Sequence, residues 1–312
     1  MGRFPVGPTS LVRLLSAKAT GTPTDLPPAV ETVVFRVRGP RVLAALAIGA
    51  ALAAAGAAYQ GLFRNPLVSP DILGVSAGAA LGAVLGIYLS WSVVAIQILA
   101  FVVGLVAVAA VYLVSASLRR HDPLLTLVLA GVLIGTLLGS CVSLIKYLAD
   151  PYNQLPAITF WLLGSLSGLT VRDLLATVPA VVAGLVPLYL LRWRMNVMTL
   201  PDEEARALGV DTGRMRLVVI AAATLMTAAV VSVSGVIGWI GLLVPHAARL
   251  LVGPDFGRLL PASMLLGGGY LLAVDTVGRT IAPIEVPPGV LTAFVGVPVF
   301  VWLLAVSRRA WQ

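Results

Sequence analysis

From Arg41 onward the chain alternates apolar blocks of about bilayer length with short polar breaks. A helix needs roughly 20 apolar residues to cross a hydrocarbon layer. The pattern predicts nine spans, over 41–62, 72–90, 92–117, 123–147, 173–191, 215–233, 236–252, 259–279 and 289–307. The expected fold is therefore all-α, a polytopic transmembrane helical bundle. Residues 1–39 break this rhythm, because Pro5, Pro8, Pro23, Pro27 and Pro28, with Arg3, Arg13 and Lys18, leave no run long enough to span. That segment is expected to be mostly irregular, with at most a short surface helix over Leu11 to Ser16. It also lacks the apolar core of a signal peptide. The domain division is thus 1–39 as an N-terminal segment and 40–312 as the transmembrane domain.

One polar stretch stands out between the fifth and sixth blocks. Residues Arg192 to Arg216, RWRMNVMTLPDEEARALGVDTGRMR, hold five arginines, two Asp and two Glu in 25 residues, so they belong in water. Thr199 or Asp202 can cap a helix, Pro201 suits its first turn, Glu203 and Glu204 favour its positive end, and Gly209 can stop it. A short helix over Pro201–Gly209 follows, either a solvated connection or a docking element for a soluble partner. Its small and apolar positions are Ala205 and Leu208.

Composition sharpens the class. Of 312 residues 59% are hydrophobic and 11% charged, with mean hydropathy +1.00; soluble domains carry about 25% charged residues. The net charge of +8 comes from basic residues flanking apolar blocks, not from a nucleic-acid surface. The single Cys141 excludes intrachain disulfides, His121 and His246 show no ligand spacing, and no metal site is expected. No GxxxxGK[ST] or HExxH pattern occurs, so neither ATP binding by a phosphate loop nor catalysis is expected, and no cofactor on this chain.

Lys and Arg divide by side. Twelve fall on the side of the Arg192–Arg216 stretch, against Lys146, Arg172 and Arg279 on the other. The bias places that stretch and the C-terminus, with Arg308 and Arg309, in the cytoplasm. Nine spans then leave residues 1–39 outside with Arg3, Arg13, Lys18, Arg36 and Arg38, and Arg41 just beyond them, which runs against the insertion bias. A further span upstream of residue 1 is the expected resolution.

Glycines recur every four residues at Gly78, Gly82, Gly86 and at Gly131, Gly135, Gly139. Each set lies on one helix face, either as a close subunit contact or pathway lining, or as tight packing within one chain. Asp275 and Arg279 stand four apart and can pair. Between the first two blocks, Asn65-Pro66-Leu67 forms a kinked turn in which the Asn65 side chain can serve freed backbone groups.

Taken in order, QGLFRNPLVSPDILGVSAGA, ITFWLLGSLSG, GWIGLLVPHAARLLVGPD, LLAVDTVGR and EVPPGVLTAFVGVPVFVWLL resemble the signatures of one family, over about Arg36 to Trp302. It is the permease subunit of type II ABC importers, which take up iron–siderophores, haem and cobalamin. The resemblance implies ten spans and a homodimer around a central pathway in the bacterial inner membrane. It also implies two cytoplasmic ATPase subunits, which hold ATP and Mg, and a periplasmic substrate-binding protein. By resemblance, Pro201, Glu203, Glu204, Ala205, Leu208 and Gly209 form the ATPase-coupling helix. Asn65-Pro66-Leu67 then closes the pathway on the cytoplasmic side, and Pro123-Leu124-Leu125 falls at a second gate where cobalamin relatives place small hydroxyl residues. That departure makes an iron chelate, siderophore or haem, the expected cargo, with cobalamin or another cargo as the alternative. Arg38, Arg41 and Arg279 match basic outer positions that dock the binding protein. An ion-coupled secondary transporter would instead require midplane carboxylates, which the chain hardly offers. A membrane enzyme would need a convergent acid, base or metal set.

Overall fold

The computed structural model describes residues 6–24, 26–118 and 123–307. Arg3, Pro5, Arg119, Arg120, His121, Arg308 and Arg309 lie outside the described residues. Within them the chain is helical with no strand. Six helices are long and apolar enough to cross a membrane by length and composition: Pro28–Phe63, Val93–Ser117, Pro123–Leu148, Val171–Leu190, Thr212–Ser234 and Phe256–Thr280. Three shorter apolar helices accompany them, Val75–Tyr88, Ile240–Val252 and Pro288–Leu303. Each predicted block overlaps one of these nine helices, but the first helix starts at Pro28, ahead of the predicted start at Arg41.

The N-terminal segment departs from expectation, being mostly helical. Helix α1 (Pro8–Thr20) ends at Gly21 in a left-handed conformation. After a break rich in proline, α2 (Pro28–Thr32) runs through a π-helical turn (Val33–Arg38) into α3 (Gly39–Phe63). The π turn has a local cause. Pro40 has no N–H to continue the ladder, and the Gly39 amide reaches five residues back to the Val34 carbonyl. Pro8 and Pro28, expected to break helices, sit instead in first turns, where a missing N–H does no harm. Leu14 of α1 packs with Val30 and Val34 in a small cluster of its own.

Helices α3 and α11 (Thr212–Ser234) form the centre of the bundle and are buried on most of their surface. Around them stand α4 (Val75–Tyr88), α5 (Val93–Ser117), α6 (Pro123–Leu148), α8 (Val171–Leu190), α12 (Ile240–Val252), α13 (Phe256–Thr280) and α14 (Pro288–Ser307). Helix α3 is rich in alanine and glycine because neighbours press on its backbone. A Cβ on Gly49 would collide with the Gly267 carbonyl of α13, and one on Gly56 with Gly241 of α12. Such contacts let backbones approach closely where burial of apolar side chains gives little drive between helices. By contrast α5, α6 and α8 keep much of their apolar surface exposed.

On the face away from the arginine-rich stretch, three irregular segments interlock. A short helix α7 (Gln154–Leu162) precedes Gly164, whose φ is +71°. Gly289 N–H donates to the Leu163 carbonyl at 3.2 Å, and Ser165 N–H to the Ser234 carbonyl at 2.8 Å. The freed backbone groups are thus served inside the protein, as membrane-depth loops require.

Candidate functional site

The arginine-rich stretch folds into two short helices, α9 (Arg192–Val197) and α10 (Asp202–Ala207). Three acids occupy the first turn of α10, Asp202, Glu203 and Glu204, where the helix dipole favours them. Pro201 stands at its N-cap. The stop is a Schellman motif: Val210 N–H reaches the Ala205 carbonyl at 3.0 Å and Gly209 N–H the Arg206 carbonyl at 2.9 Å. Gly209 takes φ +80° with open space around it, so its role is conformational.

Ala205 and Leu208 part company. Leu208 is 57% exposed, but Ala205 is 0% exposed and belongs to the main core. Ala205 was expected as a contact on the helix's outer surface; instead it faces inward and anchors α10 to the bundle. Glu203 and Glu204 are exposed. The surface α10 offers to solvent is therefore charged, acidic at Glu203 and Glu204 and basic at Arg206, with Leu208 as its apolar point.

Asp202 links this helix to the turn after α3. Arg64 donates from its guanidinium to Asp202 at 2.9 Å and from Nε to the Met198 carbonyl at 2.9 Å. Arg216, on the first turns of α11, grips both Asp202 oxygens at 2.8 and 2.6 Å. Burial by itself would raise the Asp202 carboxyl, but the hydrogen bonds and charges of Arg216, then of Arg64, outweigh it and hold the group below the ordinary carboxylate range. Arg64 itself adopts φ +51°, a left-handed conformation that ends α3 and aims the chain into the turn. There Asn65 Oδ1 accepts from Leu67 N–H at 2.9 Å, the side-chain turn its sequence suggested. Leu67 is about half exposed, and Pro66 lies against a cavity of about 270 Å³ shared with Met195, Asn196 and Arg249.

Asn196 extends the connection to α13. It donates to Asp255 at 3.1 Å and accepts from Phe256 N–H at 2.7 Å. Asn196 and the Gly257 amide hold the exposed Asp255 carboxyl below its ordinary range. One polar assembly therefore joins the ends of α3, α9, α10, α11 and α13. Pro123 and Leu125, at the start of α6, are exposed, while Leu124 packs against the core. Pro123 shares a cavity with Arg206 and Arg216 rather than standing next to Asn65.

The glycine sets also separate. Gly78, Gly82 and Gly86 press α4 onto α5 at Val103–Ala107, Leu99 and Ile96, and Gly131 presses α6 onto Ile72. Gly135 and Gly139 meet nothing within 4 Å. Leu133, Leu137 and Leu144 are exposed as well, but at roughly 100° per residue they project from nearly the opposite side of α6.

On the opposite face, Arg41 and Arg279 turn inward rather than forming an open basic patch. Their side chains are 11% and 13% exposed, and both engage the buried Asp275, at 2.8 and 3.1 Å. Arg41 also holds Glu285 of the α13–α14 loop at 3.0 Å. The Asp275–Arg279 pair was legible from spacing; the entry of Arg41 from α3 was not. Arg38 sits half-buried on the π turn.

Among the described residues no group of His, Cys, Asp and Glu could hold a metal ion. The FecCD transport family matches residues 1–306. The chain belongs to this family. It is similar, at 40% identity over 99% of this chain and 91% of that protein, to the molybdate import system permease MolB of Haemophilus influenzae. It is 43% identical, over 89% of this chain and 75% of that protein, to the cobalamin import system permease BtuC of Halobacterium salinarum. Among solved structures, an inward-facing metal-chelate type ABC transporter superposes with a TM-score of 0.85, at 37% identity over 95% of this chain and 97% of that one. The protein is thus a multi-pass ABC importer permease of the metal-chelate family, with a non-catalytic transport role.

Proposed function

We propose that this chain carries an iron chelate, siderophore or haem, across the bacterial inner membrane as one half of a permease homodimer. A periplasmic binding protein delivers the cargo, and two cytoplasmic ATPase subunits, which hold ATP and Mg, supply the energy. The observation that carries this reading is the Arg64–Asp202–Arg216 assembly, which fastens α10 to the Asn65-Pro66-Leu67 turn. In this reading α10 sits in a groove of the ATPase, with Leu208 as the apolar anchor and Glu203 and Glu204 as its acidic rim. ATP-driven movement of α10 then pulls Arg64, and with it the turn that closes the cytoplasmic end of the pathway. This is alternating access, in which each partner shifts the balance between two states by binding them unequally. At Gly139 an added Cβ would meet nothing within 4 Å among the described residues, which supports a second copy of the chain as the occupant of that side of α6.

A second reading of the cargo has its own support. Two of the similar permeases are described as serving molybdate and cobalamin, which makes an oxyanion or a corrinoid the alternative cargo of the same machine. The deciding experiment reconstitutes the permease with its ATPase and binding protein in liposomes and measures uptake of a ferric siderophore, haem, cobalamin and molybdate. ATP-dependent uptake of one iron chelate alone is the result expected. Uptake of molybdate or cobalamin alone moves the assignment to that cargo, and uptake driven by an ion gradient without ATP overturns the whole reading.

A further inference from the structure

The cavity of about 270 Å³ beside Pro66 lies on the same face of the bundle as α9 and α10. We infer that it is a second docking point for the ATPase subunit, in which Arg249 receives a carboxylate side chain of that partner. The inference rests on the reading of α10 as the coupling helix.

Arg249 stands in the last turn of α12 and lines the cavity. It is half-buried, and among the described residues its guanidinium has no hydrogen bond and no ion pair. The acids of the adjoining elements are already committed. Asp202 is held by Arg64 and Arg216, and Asp255 by Asn196 and the Gly257 amide. Among the described residues no carboxylate lines the cavity. Gln60 forms another wall and is 1% exposed; its Nε2 donates to the Leu242 carbonyl at 2.9 Å, and its Oε1 has no partner. A half-buried cation and a buried acceptor, both unserved, are costly to leave in a finished interior.

An acid from outside completes the cavity. A carboxylate matches the guanidinium fork with two parallel hydrogen bonds. The volume falls below the roughly 300–1,000 Å³ of small-molecule sites, so it suits one side chain and not a chelate. The opening favours a soluble partner over a lipid. Thr199 and Pro254 are exposed and Pro66 half-buried, and the three stand in the α9–α10, α12–α13 and α3–α4 connections. Such connections lie in water beyond the apolar spans. Arg64 also lines the cavity while holding Asp202 of α10 at 2.9 Å. An ATPase seated on both α10 and Arg249 therefore grips the link to the Asn65-Pro66-Leu67 turn from two sides.

The test uses the full-length chain in phosphatidylcholine nanodiscs and measures the affinity of its ATPase at several salt concentrations, with the Tm of the permease alone. Arg249→Gln should weaken ATPase binding about tenfold and flatten its salt dependence, as loss of one interfacial charge pair does. Its Tm alone should stay level or rise, because the change removes an unpaired cation. Arg249→Lys, which keeps the charge without the fork, should recover part of the affinity. Unchanged ATPase affinity in a folded Arg249→Gln variant overturns the site. A weaker affinity with a lowered Tm also overturns it, since Arg249 then serves the fold. So does an Arg249-dependent rise in Tm with phosphatidylglycerol at unchanged ATPase affinity, which assigns the cavity to lipid. Leu208→Asp separates the two readings. If it abolishes ATPase binding while Arg249→Gln does not weaken it, this site alone falls; if Leu208→Asp binds normally, the coupling reading falls as well.

Discussion

Arg64 and Asp202 lie 138 positions apart and meet at 2.9 Å, which joins the end of α3 to the first turn of α10. Asp202→Asn should therefore do two things. It leaves Arg216 buried without its counter-charge, for which about 2–3 kcal/mol of destabilisation is expected, discounted from a fully buried pair because Asp202 is partly exposed. It also frees the Asn65-Pro66-Leu67 turn from α10. The expected result in reconstituted complexes is ATP hydrolysis that persists while transport falls at least about tenfold, some 1.4 kcal/mol of lost coupling.

The same link makes a statement about pH. Arg216 and Arg64 lower the Asp202 carboxyl against the opposing effect of burial. A depressed carboxylate contributes stability that is complete above its unfolded value, about 3.9, and is lost as pH falls through the lower folded value. Between pH 5 and pH 8 the link therefore stays ionised. Wild type minus Asp202→Asn, measured as a difference in Tm, should be flat over that range and shrink only in stronger acid.

At α10 the two small positions should separate cleanly. Leu208→Asp places a charge on an exposed surface and should abolish co-purification of the ATPase while leaving the chain folded. Ala205→Asp buries a carboxylate in the main core and should lose the folded protein outright. Retained ATPase binding by a folded Leu208→Asp variant would sink the assignment of α10 as the coupling helix. Gly209→Ala is the control, with a cost of about 1 kcal/mol from the left-handed backbone and no direct effect on docking.

The glycines predict opposite outcomes from one type of change. Gly82→Leu drives a side chain into the Leu99 and Ala100 backbone of α5 and should prevent folding. Gly139→Leu meets open space and should leave the monomer's thermal stability unchanged. If the α6 face is covered by a second copy, Gly139→Leu shifts the size-exclusion profile toward monomer. An unchanged dimer removes α6 from the interface.

Span positions were readable because each rests on one local property, a run of apolar residues, and α10 because its acids and Gly209 are local helix signals. The N-terminal prolines misled for a physical reason: position within a first turn decides whether a proline breaks a helix, and composition does not reveal position. Ala205 and Leu208 looked alike in sequence, since both are apolar on a polar helix, and only the rotation of α10 distinguishes them. Arg64–Asp202 and Gly49–Gly267 were invisible because each joins residues far apart in sequence, with no periodicity to announce the partner.

The outer cluster gives the last prediction. Arg41 binds Asp275 through Nε and one terminal nitrogen, and Glu285 through both terminal nitrogens, at 3.0 and 3.2 Å. Asp275 is 1% exposed and Glu285 45% exposed, so the two acids differ in what their loss should do. Asp275→Asn leaves Arg41 and Arg279 short of a buried counter-charge and should lower Tm by several degrees, in line with about 3 kcal/mol for breaking such a pair. Glu285→Gln removes a half-exposed partner and should cost about 1 kcal/mol or less. It also uncovers the outer side of Arg41. If the binding protein docks here through acidic residues, Glu285→Gln should tighten that docking, and the gain should fade with added salt. An affinity that falls, at any salt, would mean that Glu285 shapes the docking loop and that Arg41 serves the fold alone.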